Sequence, residues 1–239
     1  MKAWGSEADL CRAVVAWLRD QQWEVFQEVG TGPRADIVAV QSGRVWVIEA
    51  KKSFGFPVIE QTIRWRPQAH WVSVAVPRAP GGYARDLMKR EGIGILAVER
   101  PVMGAYADTE QCALALSVTE RLRPRLVRWV DRVDSYKKRR SPLQMLHRLE
   151  PEHKDFCEAG SNCGGHWTPF KRTCRNIQAI VRERPGIHLK ELIERSQHHY
   201  RSDRTAGSSI SEWCFQGKVP GVRCEREGRH VRFYPEAVA

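Results

Sequence analysis

The chain has 239 residues, 42% of them hydrophobic, enough for one large globular domain or two smaller ones. Lys and Arg number 39 against 28 Asp and Glu, and the formal net charge of +11 favours polyanionic partners, nucleic acid first. No run of roughly 18 apolar residues argues for a membrane span, the opening stretch lacks a signal-peptide apolar region, and seven Cys without framework spacing predict free thiols in a reducing cytoplasm.

Ser6 reads as a helix N-cap with Asp9 as its capping-box partner. Leu10, Ala13, Val14, Trp17 and Leu18 then follow a helical stripe. Trp23 to Val29 alternates like a strand, and Gly30 to Pro33 is a loop. From Arg34 to Lys51 the chain predicts a hairpin. A tight turn at Ser42-Gly43 pairs Val40 with Val45, Val38 with Val47 and Asp36 with Glu49. Pro57 opens a helix running to about Arg66. Trp71–Val76 is a strand, Gly81–Arg90 a helix and Ile93–Val98 a strand. This order predicts an α/β architecture, a mixed sheet flanked by helices. Thr119 to Val133 predicts an amphipathic helix, with Pro124 inside it. The basic run Lys137 to Arg140 and the aperiodic stretch after it predict a linker.

The second domain begins at Thr168, which caps a helix with Pro169 at its first position. Phe170, Cys174, Ile177 and Val181 form that helix's apolar stripe, and Pro185-Gly186 stops it. Leu189, Leu192 and Ile193 belong to a short second helix. Ser202 caps a third, with Ala206, Ile210 and Trp213 facing inward and Gly217 ending it. Val222 to Tyr234 reads as a hairpin turning at Glu227-Gly228, with Val222 and Cys224 facing Phe233 and Val231. Three short helices and a hairpin resemble a winged helix-turn-helix module. The expected domains are 1–135, a basic irregular linker 136–167, and 168–239.

The hairpin carries the chemistry. Cross-strand partners stand about 5 Å apart at Cβ, and like charges so placed repel. Two carboxylates kept there, at Asp36 and Glu49, imply a cation between them. Strand alternation puts Lys51 on the face of Glu49. Two carboxylates and an amine at one point suit metal-assisted phosphodiester hydrolysis. The competing reading is a salt bridge on a solvated face, and apolar residues on both faces of the hairpin weigh against it.

Asp36 and Glu49-Ala50-Lys51, on adjacent strands after a capped helix that begins at Glu7, resemble the PD-(D/E)XK nuclease superfamily, the restriction-endonuclease-like fold. The resemblance spans roughly residues 6–98. It departs in one place: Ala35, not Pro, precedes the Asp, and Pro33 lies upstream. The resemblance implies that Asp36 and Glu49 each give an oxygen to Mg²⁺ (Mn²⁺ substituting), with the Ala50 carbonyl and Glu7 as further ligands. Mg²⁺ wants hard oxygens and keeps several waters. One such water would attack phosphorus, with Lys51 orienting or helping to deprotonate it and stabilising phosphate charge. Gln61 matches a polar position beside the active site in several subfamilies, and reads equally as an exposed helix Gln. Glu7 reads equally as a first-turn residue favoured by the helix dipole.

For nucleic acid, Arg34 is a phosphate candidate. In the second domain the third-helix region offers Arg201, Arg204, Ser208 and Ser209, and the wing offers Arg223, Arg226, Arg229, His230 and Arg232. Arginine suits phosphates and guanine edges by its fork, whereas a protein-binding winged fold would leave these arginines as a solvated face. Cys157, Cys163, His166 and Cys174 invite a zinc reading, but their spacing does not match paired zinc ligands, and Cys174 falls on an apolar stripe. Cys11 and Cys112 read as core or incidental thiols. Together these features predict a Mg²⁺-dependent DNA endonuclease acting on duplex or branched DNA, as a homodimer or within a mobile-element or phage assembly. The alternative is a nuclease fold kept as a catalytically silent DNA-binding module or transcriptional regulator. Retention of Asp36, Glu49 and Lys51 together weighs against it.

Overall fold

The computed structural model of the chain describes residues 6–30, 33–99, 116–127, 141–161, 167–228 and 230–236. Its contacts divide the chain into two compact units, 1–166 and 167–239. The first unit opens with α1 (Glu7–Asp20). The Ser6 hydroxyl accepts the Asp9 N–H while the Asp9 carboxylate accepts the Ser6 N–H, which is the capping box the sequence predicts. Next come β1 (Glu24–Val29), β2 (Ala35–Gln41), β3 (Arg44–Ala50), α2 (Phe56–Trp65), β4 (Trp71–Val76), α3 (Gly82–Glu91), β5 (Gly94–Glu99) and β6 (Ser117–Leu122). The strands lie side by side in sequence order. β1, β2 and β3 are antiparallel, β4 and β5 run parallel to β3, and β6 returns antiparallel.

Val45 to Ala50 of β3 are all buried, as befits a strand covered on both faces. On one face Leu10, Val14 and Leu18 of α1 pack over Ile37, Ala39, Trp46 and Ile48. On the other, Val58 and Ile59 of α2 and Met88 of α3 cover Val74, Val76 and Ile95, while Trp65 joins Val38, Val47 and Val72. Ser42 and Gly43 have φ of +50° and +74°, the left-handed pair that a two-residue type I′ turn requires. That turn sets the expected pairs Val40–Val45 and Val38–Val47.

Two expectations fail in the first unit. The helix expected over Thr119–Val133 is, in its described part, the end of strand β6 followed by residues 123–127, which lie in no helix or strand. The β-branched Val118 and Thr119 ladder with Val98 and Ala97, and Pro124, which would break a helix interior, lies just beyond the strand. Residues 128–133, like the basic run Lys137–Arg140, lie outside the described residues. The expected linker 136–167 is also partly folded. Its α4 (Pro142–Leu146) buries Met145 in the cluster of Val38 and Trp65. A 3₁₀ turn, Pro151–Lys154, lies on β1. Gln27 on β1 donates to the Lys154 carbonyl and accepts the Ala159 N–H, and Arg12 and Arg19 of α1 pair with Glu158 and Asp155. β1 is an edge strand whose polar groups need cover, and this aperiodic segment supplies it.

The second unit contains α5 (Pro169–Glu183), β7 (Ile187–His188), α6 (Leu189–Arg195), α7 (Asp203–Phe215), β8 (Val222–Glu227) and β9 (His230–Pro235), with the strands in the order β7-β9-β8. Its core gathers Cys174, Ile177, Val181, Leu192, Ile193, Ala206, Ile210 and Phe233. Cys214 is buried in this core, and Trp213 packs against it half-buried, edge-on to Phe170. The hairpin turns between Glu227 and His230, so Cys224 pairs with Phe233 rather than Val231 and Val222 with Pro235. Gly228, at φ +62°, supplies the left-handed residue that such a turn needs. A two-residue slip of partner leaves every side chain on its expected face.

Candidate active site

The ladder pair Ile37–Ile48 makes Asp36 and Glu49 the next opposed residues, at the start of β2 and the end of β3. The two carboxyl groups act directly on one another's charge. Each is also held by a donor. The Ala50 N–H donates to Asp36 Oδ2 at 2.9 Å, and the Trp65 indole N–H donates from α2 to Glu49 Oε1 at 2.5 Å. Glu49 is 2% exposed, and Asp36 is half-buried.

Burial, and then the charge of Asp36, pushes the Glu49 carboxyl up to about 9. Burial pushes Asp36 up to about 6 against the opposing pull of the Ala50 N–H and Lys51, with Glu28 and Glu7 adding to the rise. Two adjacent buried carboxylates cannot both ionise without strong repulsion, so on their own they share a proton near neutral pH. The donor set fits Mg²⁺. Each carboxylate keeps one oxygen not taken by Ala50 or Trp65, the oxygens are hard, and this ion needs few protein ligands because it keeps its waters.

Lys51 follows β3 directly, anchored by its N–H to the Ala75 carbonyl of β4 at 3.0 Å. Its ammonium lies 3.1 Å from Glu7 Oε2 in the first turn of α1. Burial alone would depress this group, but Asp36, Glu7 and Glu49 outweigh it and hold the amine above its ordinary value. Glu7 thus reaches the site from α1 by gripping the lysine. Gln61 lies one turn before Trp65 on α2, and its Oε1 is buried without a hydrogen-bond partner, which is rare for a buried polar atom.

Sequence reasoning missed Glu28. It sits in β1 between the pairs Gln27–Ile37 and Val29–Ala35, hence opposite Asp36. It is 6% exposed and has φ +53°, a left-handed conformation that costs a non-glycine residue roughly 1–2 kcal/mol. Its carboxylate accepts the Gly160 N–H at 2.9 Å and faces Arg34 Nε at 3.3 Å. Gly160 itself is left-handed and lies against the first turn of α1, where a Cβ would stand 2.8 Å from the Glu7 carbonyl carbon. The signal was two successive polar residues, Gln27-Glu28, inside an otherwise apolar strand. The indole partner of Glu49, Trp65, was also missed, because nothing in the helix pattern separates a core Trp from a hydrogen-bonding one.

The nucleic-acid candidates fare unequally. Arg34 is engaged by Glu28. In the second unit Arg223 pairs with Glu225 and lies 4.8 Å from the Tyr234 ring, while Arg232 bonds Glu227 at 2.6 Å and the Gly186 carbonyl at 3.0 Å. Arg226 lies over Phe215 at 5.7 Å. The Ser208 hydroxyl donates back to the Arg204 carbonyl. Arg201 and Arg204 are exposed and form no ion pair with a described residue. Arg229, Cys112, Cys163 and His166 lie outside the described residues. Cys11, Cys157 and Cys174 are buried. Among the described residues no group of three or more His, Cys, Asp or Glu is placed to hold a metal ion; the Asp36–Glu49 site has two carboxylates.

No protein-family model matches the chain, and no curated protein is similar to it. Among solved structures it is similar to a crystallised protein of unknown function, AF1548, at 13% identity over 90% of this chain and 99% of that one, with a TM-score of 0.32. A likeness at that score carries no argument about fold or activity. The chain folds as a mixed α/β protein with helices flanking its larger sheet, and among the described residues no helix is long and apolar enough to cross a membrane.

Proposed function

We propose that the chain is a Mg²⁺-dependent endodeoxyribonuclease of the PD-(D/E)XK kind, its first unit a restriction-endonuclease-like fold that cuts and its second a winged helix-like module that binds DNA. The observation that carries this reading is the opposed pair of half-buried Asp36 and buried Glu49 with the cationic Lys51 beside it. Asp36 and Glu49 would hold the ion, which supplies an acidified water and neutralises charge at the phosphate. The Ala50 N–H and the Trp65 indole fix the carboxylates, so their geometry is set before substrate arrives. Lys51, kept cationic, stabilises charge developing on the phosphate. An amine held above its ordinary pKa is a poor base at neutral pH, so charge stabilisation and orientation, not deprotonation, are its part. Glu7 positions that amine.

The strand order supports the reading, since the antiparallel β1–β3 meander continuing into parallel β4 and β5 puts both motif carboxylates at one end of the sheet. Residues 167–239 carry 14 Lys and Arg against 8 Asp and Glu, which supports a polyanionic partner. Plasmid cleavage with Mg²⁺ tests it. Wild type nicks or cuts, and Asp36→Ala and Lys51→Ala each lose about a hundredfold or more. Undiminished cleavage by both variants would remove the site.

A further inference from the structure

The loops that leave β3 and β4 at the Lys51 end of the sheet border one open cleft, lined by Lys52, Ser53, Phe54 and the run Pro77–Gly81. Two exposed aromatic residues follow this lining closely along the chain. Phe56, two residues past Phe54 in the first turn of α2, is 81% exposed, and Tyr83, two residues past Gly81 in the first turn of α3, is 73% exposed. A ring of this kind is usually at least partly buried, and two left exposed within two residues of one cleft's lining point to an interaction surface. The charge of the cleft says what kind. Lys52 and Arg78 are exposed and form no ion pair with a described residue. The nearest acidic positions on the two helices, Glu60 and Asp86, come a turn later. Open aromatic faces beside unpaired cations complement a strand of unstacked bases with a repeating negative charge.

We propose that this cleft binds unpaired nucleotides, with Phe56 and Tyr83 stacking on bases and Lys52 and Arg78 contacting phosphates. Because Lys52 directly follows Lys51, the unpaired stretch lies next to the candidate active site. The preferred substrate is therefore DNA with a single-stranded arm or fork, not plain duplex. The proposal rests on the nuclease reading for this last step but not for binding itself.

The test is fluorescence polarisation of a labelled oligothymidine of about 15 nucleotides, within the site sizes of such grooves, with the full chain in EDTA so that nothing is cut. Phe56→Ala and Tyr83→Ala each weaken binding about fivefold or more, with unchanged thermal midpoints because both rings are exposed. Lys52→Ala and Arg78→Ala each reduce the slope of log affinity against log salt by about 0.7. With Mg²⁺, wild type prefers forked to fully paired DNA, and the Phe56→Ala/Tyr83→Ala double variant loses that preference. If the double variant binds the oligonucleotide as tightly as wild type, the rings serve a protein partner and the proposal is overturned. If binding depends on the rings but no DNA is cut, the nuclease reading falls and the cleft assignment stands.

Discussion

The two units hold their charges in opposite ways. In the second, most of the described wing arginines are already satisfied: Arg223 by Glu225 and the Tyr234 ring, and Arg232 by Glu227 and the Gly186 carbonyl. In the first, Asp36 and Glu49 face each other with Glu28 adding its charge at Asp36, and the Lys51 ammonium beside them is shared with Glu7. Exposed ion pairs contribute about 0–1 kcal/mol and say little about ligands. Buried like charges oppose folding, and a chain that keeps them leaves a place for something absent from the fold itself. Abundant charge is thus a weaker pointer to function than unsatisfied charge.

The sharpest way to break this comparison is to remove the carboxylates. Glu49→Ala, like Asp36→Ala, lowers Mg²⁺-dependent cleavage by about 10² to 10³ or more, read from initial rates of plasmid nicking. Glu49→Gln abolishes cleavage as well, yet raises the thermal stability of the protein in EDTA by about 1 kcal/mol or more, because the folded protein no longer has to hold a proton on a buried carboxyl that ionises freely once unfolded. A destabilised Glu49→Gln would mean that the pair is structural.

The pH dependence follows in sign. Both folded pKa values lie above the ordinary carboxylate values, so between them the folded state binds more protons than the unfolded one. In EDTA this contribution to stability is complete below pH of about 4 and declines as pH rises towards about 9. Divalent-ion binding needs the deprotonated forms, so Mn²⁺ affinity climbs over the same range. Thermal melts with and without Mn²⁺ should diverge as pH rises, whereas parallel curves would contradict the coupling.

Smaller effects sharpen the second half of the comparison. Arg201→Ala and Arg204→Ala, at unpaired positions, each reduce the salt slope of duplex binding by about 1. Arg223→Ala and Arg232→Ala leave that slope within error and change stability by no more than about 0.5 kcal/mol. Equal losses at all four positions would show that the wing's ion pairs open on DNA.

What the sequence revealed follows the same division. The hairpin register was legible because a Ser-Gly turn and alternating Val residues leave one solution, and it brought Asp36, Glu49 and Lys51 into place before any coordinates. The grip of Glu7 on Lys51 was legible only as an acidic residue at the start of α1 with a suspected place in the site. Glu28 was not legible, because its role comes from a left-handed backbone turn within β1 and from Gly160, far along the chain. Nor was the cover that residues 141–161 lay over the first unit, since Met145 meets Val38 and Trp65, and Lys154 meets Gln27, by tertiary packing without a periodic signal. The β6 error has a simple cause: Leu122 and Leu126 fit a helical spacing, and Pro124 between them should have prevailed. The arginines were visible as residues, but their glutamate partners across or along the hairpin depend on a turn one residue from where it was expected.

Anomalous diffraction from a wild-type crystal soaked in Mn²⁺ tests the central claim most directly. The account predicts a peak bridging one oxygen of Asp36 and one of Glu49, with the Lys51 ammonium alongside and still on Glu7. Carboxylates turned away from each other, with no peak between them, would contradict it.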